Sequence, residues 1–421
     1  MPPEVAPLPL ITNDAVVLGI LFIILAAVFV TSQSERPFWK RFYGYVPALL
    51  LCYFIPSLFS TAGIFSGDVS RLYFVASQYL LPASLVLLTV SIDLRSIMRL
   101  GPKAVIMFLG GTAGVMIGGP VAVLLISYFN PALVGGVGPD AVWRGLATIA
   151  GSWIGGGANQ TAMKEIFGVS DNLFSALIAV DVLVANVWMA CLLFAAARAK
   201  RIDAWLGADT SAIAVVKQKV EELQARSARI PSLTDLMVLL AVGFGITALG
   251  HVIADVVAPF IEARAPQLEQ FSLTSKFFWI VVVATTAGLI LSAWPRARAL
   301  EGVGASRIGS AFLYVLVATI GMKMNLLAIF AQPGLFLIGA VWMLVHITIM
   351  LTLAYFIKAP VFFVAVGSQA NIGGAASAPV VASAFHPALA PVGVLLAVLG
   401  YALGTYGAWI CAMLMRAAAP M

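Results

Sequence analysis

The sequence predicts an all-α polytopic membrane protein built from two inverted repeats, each with about five spanning helices and one broken or re-entrant helix. Three observations lead to this prediction. The composition is strongly apolar, the apolar residues are gathered in runs long enough to span a bilayer, and a glycine-rich pattern occurs once in each half of the chain.

The composition excludes a soluble globular fold. Of the 421 residues, 62% are hydrophobic and 10% are charged, whereas soluble domains contain about 25% charged residues. The net charge of +6 comes from Lys and Arg in short loops between apolar runs, without the basic patch and stacking aromatics of a nucleic-acid-binding protein. The sequence therefore predicts the lipid bilayer as a partner and excludes nucleic acid.

Ten apolar runs are long enough to cross a bilayer, which takes about 20 helical residues. They are 14–32, 44–62, 73–93, 104–128 and 172–197 in the first half, and 233–255, 275–294, 307–328, 334–357 and 388–415 in the second. Between the fourth and fifth run of each half lies a segment rich in small and polar residues, 145–167 and 360–385. Irregular backbone at membrane depth is tolerated only inside protein or beside a wet cavity, so these two segments are predicted to be functional.

The two special segments share a pattern. The first reads GSWIGGGANQTA (151–162) and the second GSQANIGGAASAP (367–379), and each contains Ile-Gly-Gly beside amide residues. The preceding runs also match, since TVSIDL (89–94) resembles TIGMKM (319–324). We therefore predict an internal duplication. The first repeat is placed at 1–200, a linker at 201–232 and the second repeat at 233–421.

The basic residues predict the orientation, because cytoplasmic loops carry an excess of Lys and Arg. Loops 33–43 and 94–103 and the stretch 198–232 are the most basic parts of the chain, so all three are expected in the cytoplasm. This requires segment 145–167 to enter and leave on one side, which gives five crossings per half and inverts the second repeat. A segment that crosses fully remains the alternative, since the charge rule is a bias.

The linker contains a candidate surface helix. Ile213, Val216, Val220 and Leu223 recur at helical spacing opposite charged residues, a pattern typical of an amphipathic helix on the cytoplasmic membrane surface. A solvated connector with helical propensity is the alternative.

The candidate binding site is drawn from the two glycine-rich segments and the runs that follow them. Hydroxyls, carboxamides and carbonyls freed at broken helices can replace the water around a solute or ion, and half-helix ends can face charged groups. Asp181 is an ionisable residue near the middle of a span and is a functional candidate for that reason. Close helix packing is the alternative for the glycines, and a structural hydrogen bond is the alternative for Asp181. The predicted binding residues are Ser152, Gly155, Gly156, Asn159, Gln160, Thr161, Asp181, Asn186, Ser368, Gln369, Asn371, Gly373, Gly374, Ser377, Tyr401 and Thr405.

Three further polar residues are assigned other roles. Asp93 and Lys323 occupy corresponding positions of the two repeats, so inversion places them near opposite faces of the membrane. We interpret them as charges at the membrane interface, with a role in gating as the second interpretation. His346 lies alone in an apolar run and is interpreted as a hydrogen-bonded core histidine.

The sequence lacks the common motifs of enzymes and of ATP-driven pumps. It contains neither HExxH nor GxSxG, no pair of carboxylates at acid/base spacing, and no GxxxxGK[ST] loop for ATP. We therefore expect no enzyme, no cofactor and no metal beyond Na⁺. An ion channel is a weaker alternative, since the repeats are internal and no filter sequence is present.

At these residues the chain resembles the YjcL-like membrane proteins of domain-of-unknown-function family 819. The resemblance covers nearly the whole chain and is carried by GSWIGGGAN (151–159), ALIAVDVLVANVWMA (176–190), SQANIGGAASAP (368–379) and VLGYALGTY (398–406). That family is similar to the cation:proton antiporter and anion transporter superfamily. The resemblance implies a core domain that holds the broken segments and moves against a scaffold domain in an elevator-like way. It names no substrate, and the absence of paired aspartates argues against the antiport of electrogenic exchangers.

Taken together, these features lead us to expect a secondary active transporter of a small polar or anionic solute, coupled to Na⁺ or H⁺. The alternatives are an ion channel and a non-transporting sensor or binding protein on the same scaffold. The expected location is a bacterial inner membrane, which the chain crosses several times. A homodimer is retained as one oligomeric state, because dimers are common in the related folds.

Overall fold

The computed structural model describes residues 9–43, 46–208, 210, 213, 231–324, 332–386 and 389–420, and the regular structure in these ranges is helical. The helices of the first half are α1 (Asp14–Ser32), α2 (Pro37–Tyr43), α3 (Ala48–Thr61), α4 (Leu72–Val90), α5 (Leu94–Arg99), α6 (Pro102–Phe129), α7 (Pro131–Val134), α8 (Val142–Phe167), α9 (Asp171–Ala196) and α10 (Ala199–Leu206). The helices of the second half are α11 (Leu233–Arg264), α12 (Lys276–Ser292), α13 (Pro295–Arg298), α14 (Ala305–Gly321), α15 (Gly334–Ile357), α16 (Val361–Ile372), α17 (Gly374–Phe385) and α18 (Ala390–Ala418).

Within the described residues, every predicted apolar run overlaps one of these helices. Seven described helices are long and apolar enough to cross a membrane, namely α1, α4, α6, α9, α11, α15 and α18. The other three runs correspond to α3, α12 and α14, which have 14, 17 and 17 residues. The predicted all-α polytopic fold is confirmed. Of the predicted linker helix, Val216, Val220 and Leu223 lie outside the described residues.

Helix α8 is folded back on itself into a hairpin. Gly156 breaks it with φ 73° and ψ −172°, a conformation that only glycine adopts readily. The two ends of the helix then meet, because the Arg144 guanidinium donates a hydrogen bond of 2.6 Å to the Phe167 carbonyl, 23 residues further on. Residues 142–167, called hairpin 1 from here on, therefore return to the end of the bundle from which they start.

Helices α16 and α17 form a second hairpin. The rings of Phe362 and Phe385, near its two ends, pack edge to face with centroids 5.3 Å apart. Its tip is Gly374, which has φ 56°. Residues 361–385 are called hairpin 2. The third residue of Ile-Gly-Gly is the positive-φ glycine at both tips, Gly156 and Gly374, so the shared sequence pattern marks the same structural position in both halves.

The helices pack as two groups. Helices α1, α3, α4, α11, α12 and α14 contact one another and are called the scaffold group. Helices α6, α9, α15 and α18 pack around the two hairpins, and together they are called the hairpin group. Contacts between the groups are made mainly by α4 and α12 against α8 and α18. The two hairpins therefore belong to one body that lies against the other.

Glycines allow α18 to lie directly on hairpin 1. A Cβ atom on Gly400 would be 2.5 Å from the Ile154 carbonyl oxygen, and a Cβ on Gly404 would be 2.6 Å from Gly155 Cα. Small residues at such interfaces let helix backbones approach closely. This close approach, in which Gly155 takes part, positions the broken backbone of hairpin 1.

The hairpins open at opposite ends of the bundle. Hairpin 2 opens beside the basic loop 94–103 and the start of the linker, where Lys103 Nζ donates to the Lys358 carbonyl (3.2 Å) and Asp203 Oδ1 accepts from the Val361 N–H (2.8 Å). Hairpin 1 opens at the other end, where the Arg416 guanidinium near the end of α18 lies 5.7 Å from the Trp143 ring. The loop and the start of the linker share one end, as the charge pattern predicts.

Candidate functional site

The tips of the two hairpins meet inside the bundle. A Cβ atom placed on Gly374 would lie 3.9 Å from Gly156 Cα, and a Cβ on Gly157 would lie 3.7 Å from Leu313 Cδ2 of the scaffold group. Two half-helix C-termini and two half-helix N-termini therefore converge beside the scaffold group. Such ends carry free carbonyls and free N–H groups, which suit a cation and an anion respectively.

Asp181 fastens both arms of hairpin 1 to α9. Its carboxylate is 6% exposed. It accepts from Ser152 Oγ (2.7 Å) and Trp153 Nε1 (2.6 Å) on the first arm, and from Gln160 Nε2 (2.9 Å) on the second. A buried carboxylate is costly unless donors surround it, and these three neutral donors provide that surrounding. Three of its roughly four acceptor positions are thereby occupied.

Asn159 fastens the second arm of hairpin 1 to α18. Its Nδ2 donates to the carbonyls of Gly155 and Tyr401, each at 3.1 Å. Its Oδ1 accepts from Thr405 Oγ1 at 2.7 Å, and Thr405 in turn lies 3.0 Å from the Thr285 hydroxyl of the scaffold group. Of the predicted site residues on α18, Thr405 thus contributes its hydroxyl and Tyr401 its backbone carbonyl.

Asn371 makes the same kind of contacts in hairpin 2. Its Nδ2 donates to the carbonyls of Gly367 and Phe108, each at 2.9 Å, and its Oδ1 accepts from Thr112 Oγ1 at 2.8 Å. In both hairpins the asparagine bonds a glycine carbonyl one turn earlier, a carbonyl of a neighbouring helix, and a threonine one turn beyond that carbonyl. Asn159 and Asn371 therefore hold the hairpins in place.

Ser368 joins hairpin 2 to two spanning helices. Its hydroxyl accepts from Trp188 Nε1 of α9 at 2.8 Å and lies 2.8 Å from His346 Nε2 of α15. His346 is fully buried, as expected of a hydrogen-bonded core histidine. Sequence reasoning missed Trp188, because nothing in its local pattern points to a partner 180 residues away.

Gln369 and Ser377 face each other across the tip of hairpin 2. Gln369 Nε2 donates to Ser377 Oγ at 2.6 Å. Gln369 is 1% exposed, yet its Oε1 has no hydrogen-bond partner in the structure. A Cβ on Gly373 would lie 2.3 Å from Gln369 Nε2, so the amide rests directly against the tip backbone.

Two predicted residues, Thr161 and Asn186, each donate a hydrogen bond to a carbonyl one turn earlier in their own helix. Thr161 Oγ1 donates to the Gly157 carbonyl at 2.9 Å, which keeps it at the tip of hairpin 1. Asn186 Nδ2 donates to Val182 O of its own helix at 2.7 Å. The hydrogen bonds of Asn186 thus do not connect it to the hairpins.

A partly buried ionic cluster, missed from the sequence, joins the two groups at the end where hairpin 1 opens. Its members are Tyr73 and Lys323 of the scaffold group, and Lys164, Glu165 and Asp171 of the hairpin group. Lys164 is 5% exposed, and its Nζ lies 2.8 Å from both Asp171 Oδ1 and Tyr73 Oη. Lys323 Nζ lies 3.0 Å from Asp171 Oδ2, and Tyr73 donates to Glu165.

Asp93, at the other end of the bundle, forms an ion pair with a residue of α13. Asp93 Oδ1 lies 2.6 Å from Arg298 Nη1. Asp93 and Lys323 thus lie at opposite ends, as predicted, and the ion pair of Lys323 with Asp171 joins the two groups.

Comparison with known proteins identifies the kind of protein. The model of the family described as "Protein of unknown function (DUF819)" matches residues 19–418. The chain is 23% identical over 361 residues to "Uncharacterized membrane protein YjcL" of Bacillus subtilis (strain 168), a match that covers 83% of this chain and 85% of that protein. Together with the apolar spanning helices, these matches make the chain an integral, multi-pass membrane protein in a lipid environment.

Proposed function

Because this chain belongs to the DUF819 family, whose description names no activity, we propose its function from the geometry: it is a secondary active transporter of a small polar, anionic solute, driven by Na⁺ or H⁺. The observation that carries the proposal is the meeting of two glycine-tipped hairpins, at Gly156 and Gly374, beside a separate group of helices. Broken helices of this kind form transport sites near the middle of the bilayer.

The opposite openings of the hairpins support an inverted-repeat architecture. Hairpin 1 opens where α18 ends, and hairpin 2 opens beside loop 94–103. Ile-Gly-Gly lies at both tips. An inverted duplication produces both features at once, because the second repeat presents the same hairpin from the other side.

The two groups of helices support alternating access by movement of one group against the other. The hairpins are bonded to their own group through Asp181, Asn159 and Asn371, so they move with it as a unit. Among the described residues, direct polar links to the scaffold group lie at the ionic cluster and at α18. Movement of the hairpin group would break the ionic cluster, which lies at the end where hairpin 1 opens. The same movement would expose the two tips to the other side of the membrane.

The closed centre favours a transporter over a channel. A channel requires a continuous path, whereas the tip of hairpin 1 lies against the tip of hairpin 2 and beside Leu313 of the scaffold group. The two half-helix N-termini at the tips favour an anionic group on the solute, and the two C-termini favour a cation beside it. We propose no enzymatic step and no cofactor.

Uptake into proteoliposomes tests the proposal. Purified protein is given a panel of labelled small carboxylates, amino acids and other polar solutes under an inward Na⁺ or proton gradient. We expect gradient-driven accumulation of a solute, and its loss in Asp181→Asn and in the double variant Asn159→Ala with Asn371→Ala, at equal amounts of folded, inserted protein. Unchanged uptake in these variants would contradict the site. Ion current without solute accumulation would favour a channel.

A further inference from the structure

Most polar side chains in and beside the two hairpins have their hydrogen-bonding capacity occupied by the protein itself. Asp181 accepts three bonds, and each asparagine donates twice and accepts once. Ser368 is bonded to Trp188 and His346. These residues position the hairpins and leave little capacity for a ligand.

Gln369 is different. Its Oε1 is buried and has no partner, although its amide is fixed by the hydrogen bond to Ser377. A buried amide oxygen without a hydrogen-bond partner is destabilising, so such an atom at a converging pair of helix ends indicates a place for a ligand. Helix α16 ends at Ile372, and the last carbonyls of a helix have no partner within it. Amide, hydroxyl and backbone oxygens thus gather at one tip.

We propose that Gln369 Oε1 and Ser377 Oγ, together with the last backbone carbonyls of α16, bind Na⁺ at the tip of hairpin 2. This inference rests on the proposed transport function and makes Na⁺ its coupling ion. The site lies beside Gly374, where the two tips meet, so an ion bound there would fix the backbone that faces the solute.

The chemistry of the site selects a monovalent cation. Its oxygens are neutral, and among the described residues no group of three or more His, Cys, Asp or Glu side chains is placed to hold a metal ion. Hard divalent ions favour several carboxylates, whereas carbonyls at unwound helix ends suit Na⁺. Proton coupling at this tip would need a titratable group, and neither Gln369 nor Ser377 is one.

Thermal unfolding of the purified protein, followed by tryptophan fluorescence, tests the site without a known solute. NaCl is titrated against choline chloride and KCl at constant ionic strength. Na⁺ should raise the midpoint of the wild type saturably, as a ligand bound only by the folded state does, while K⁺ and choline should not. In Gln369→Ala and Ser377→Ala the half-saturating Na⁺ concentration should rise about tenfold or more, the loss of one favourable contact.

Gln160→Ala is the matched control, because it removes the glutamine of hairpin 1, whose amide is bonded to Asp181. It should lower the midpoint and keep the Na⁺ response. The site is overturned if Na⁺ does not stabilise the wild type, or if both variants of hairpin 2 keep the wild-type response.

This result is separable from the transport proposal. If the protein shows gradient-driven uptake but no stabilisation by Na⁺, the proposed Na⁺ site is wrong and the transport proposal stands. If the Na⁺ response depends on Gln369 but the tips are accessible from one side of the membrane only, the Na⁺ site stands and the transport proposal is wrong.

Discussion

Gly374 lies against Gly156: a Cβ atom on Gly374 would be 3.9 Å from Gly156 Cα, although the two glycines end hairpins that open at opposite ends of the bundle. The contact places two breaks in helical backbone at one point beside the scaffold group. Each break depends on a positive-φ glycine, at 73° and 56°. The geometry of the site therefore depends on two residues that have no side chain.

Gly156→Ala should destabilise the protein through backbone strain alone. A Cβ at this position would have space, since its nearest neighbour is Tyr401 Cε1 at 3.7 Å, but φ 73° with ψ −172° is unfavourable for alanine. We expect a loss of about 1–3 kcal/mol in the free energy of unfolding, measured by denaturant titration in detergent. The control is Gly157→Ala, which has equal space and an ordinary φ. Equal losses in both variants would contradict the strain at Gly156.

Asp181→Asn should destabilise hairpin 1. The new amide N–H group must face another hydrogen-bond donor, either Trp153 Nε1–H or Gln160 Nε2–H, because both donate to the carboxylate in the wild type. We expect the free energy of unfolding to fall by about 1–3 kcal/mol. Adding Gln160→Glu should recover part of this loss, since the new carboxylate can accept from the amide introduced at position 181. A double variant less stable than Asp181→Asn would contradict this arrangement of donors.

Lys164→Met should destabilise the protein more than Lys323→Met. Both lysines contact Asp171, but the side chain of Lys164 is 6% exposed and that of Lys323 is 21% exposed. Breaking a buried pair costs about 3–5 kcal/mol, whereas a more exposed pair contributes about 1 kcal/mol or less. Raising the salt concentration should reduce only the effect of Lys323→Met. If the two variants lose the same stability and salt reduces both losses equally, the buried position of Lys164 is contradicted.

Asp203 should give the stability a measurable pH dependence. Burial raises the pKa of this carboxyl above its ordinary value of 3.8, against the opposing hydrogen bond from the Val361 N–H. A raised pKa in the folded state contributes stability that is complete below the unfolded pKa and is lost as the pH rises through the folded pKa. Asp203→Asn keeps an acceptor for Val361 and removes the titration.

The free energy of unfolding of the wild type, minus that of Asp203→Asn, should therefore fall as the pH rises from about 3.8 toward neutrality. Denaturant titrations at several pH values give this difference. A difference that is constant or grows with pH would contradict the raised pKa.

The fold was predictable because its signals are local. Each spanning helix satisfies its own backbone, so an apolar run alone predicts it, and the run 334–357 coincides with α15. The reversal of hairpin 1 was also predicted from the sequence, since a linker on the same side as the basic loops requires five crossings in the first half and segment 145–167 to enter and leave on one side. The positive-φ tips were marked by Ile-Gly-Gly in both halves.

The roles within the site were less predictable, because they depend on partners far along the chain. Asn371 was found as a polar residue of a broken helix, but its partner carbonyl belongs to Phe108, 263 residues away. Lys164 was missed because its neutralising partner Asp171 and its neighbour Tyr73 are brought to it only by the fold. Only the structure distinguishes Gln369, with its free oxygen, from the side chains already bonded.

Side-specific labelling of a single cysteine at the tip of hairpin 1 tests alternating access most directly. Gly157→Cys is made in a protein whose Cys52, Cys191 and Cys411 are replaced by alanine, and the new side chain would have Leu313 as its neighbour at 3.7 Å. A membrane-impermeant maleimide is added to right-side-out and to inside-out vesicles. The account predicts that the introduced cysteine is labelled from both sides, at rates that Na⁺ changes. Labelling from one side only, with and without Na⁺, would contradict it.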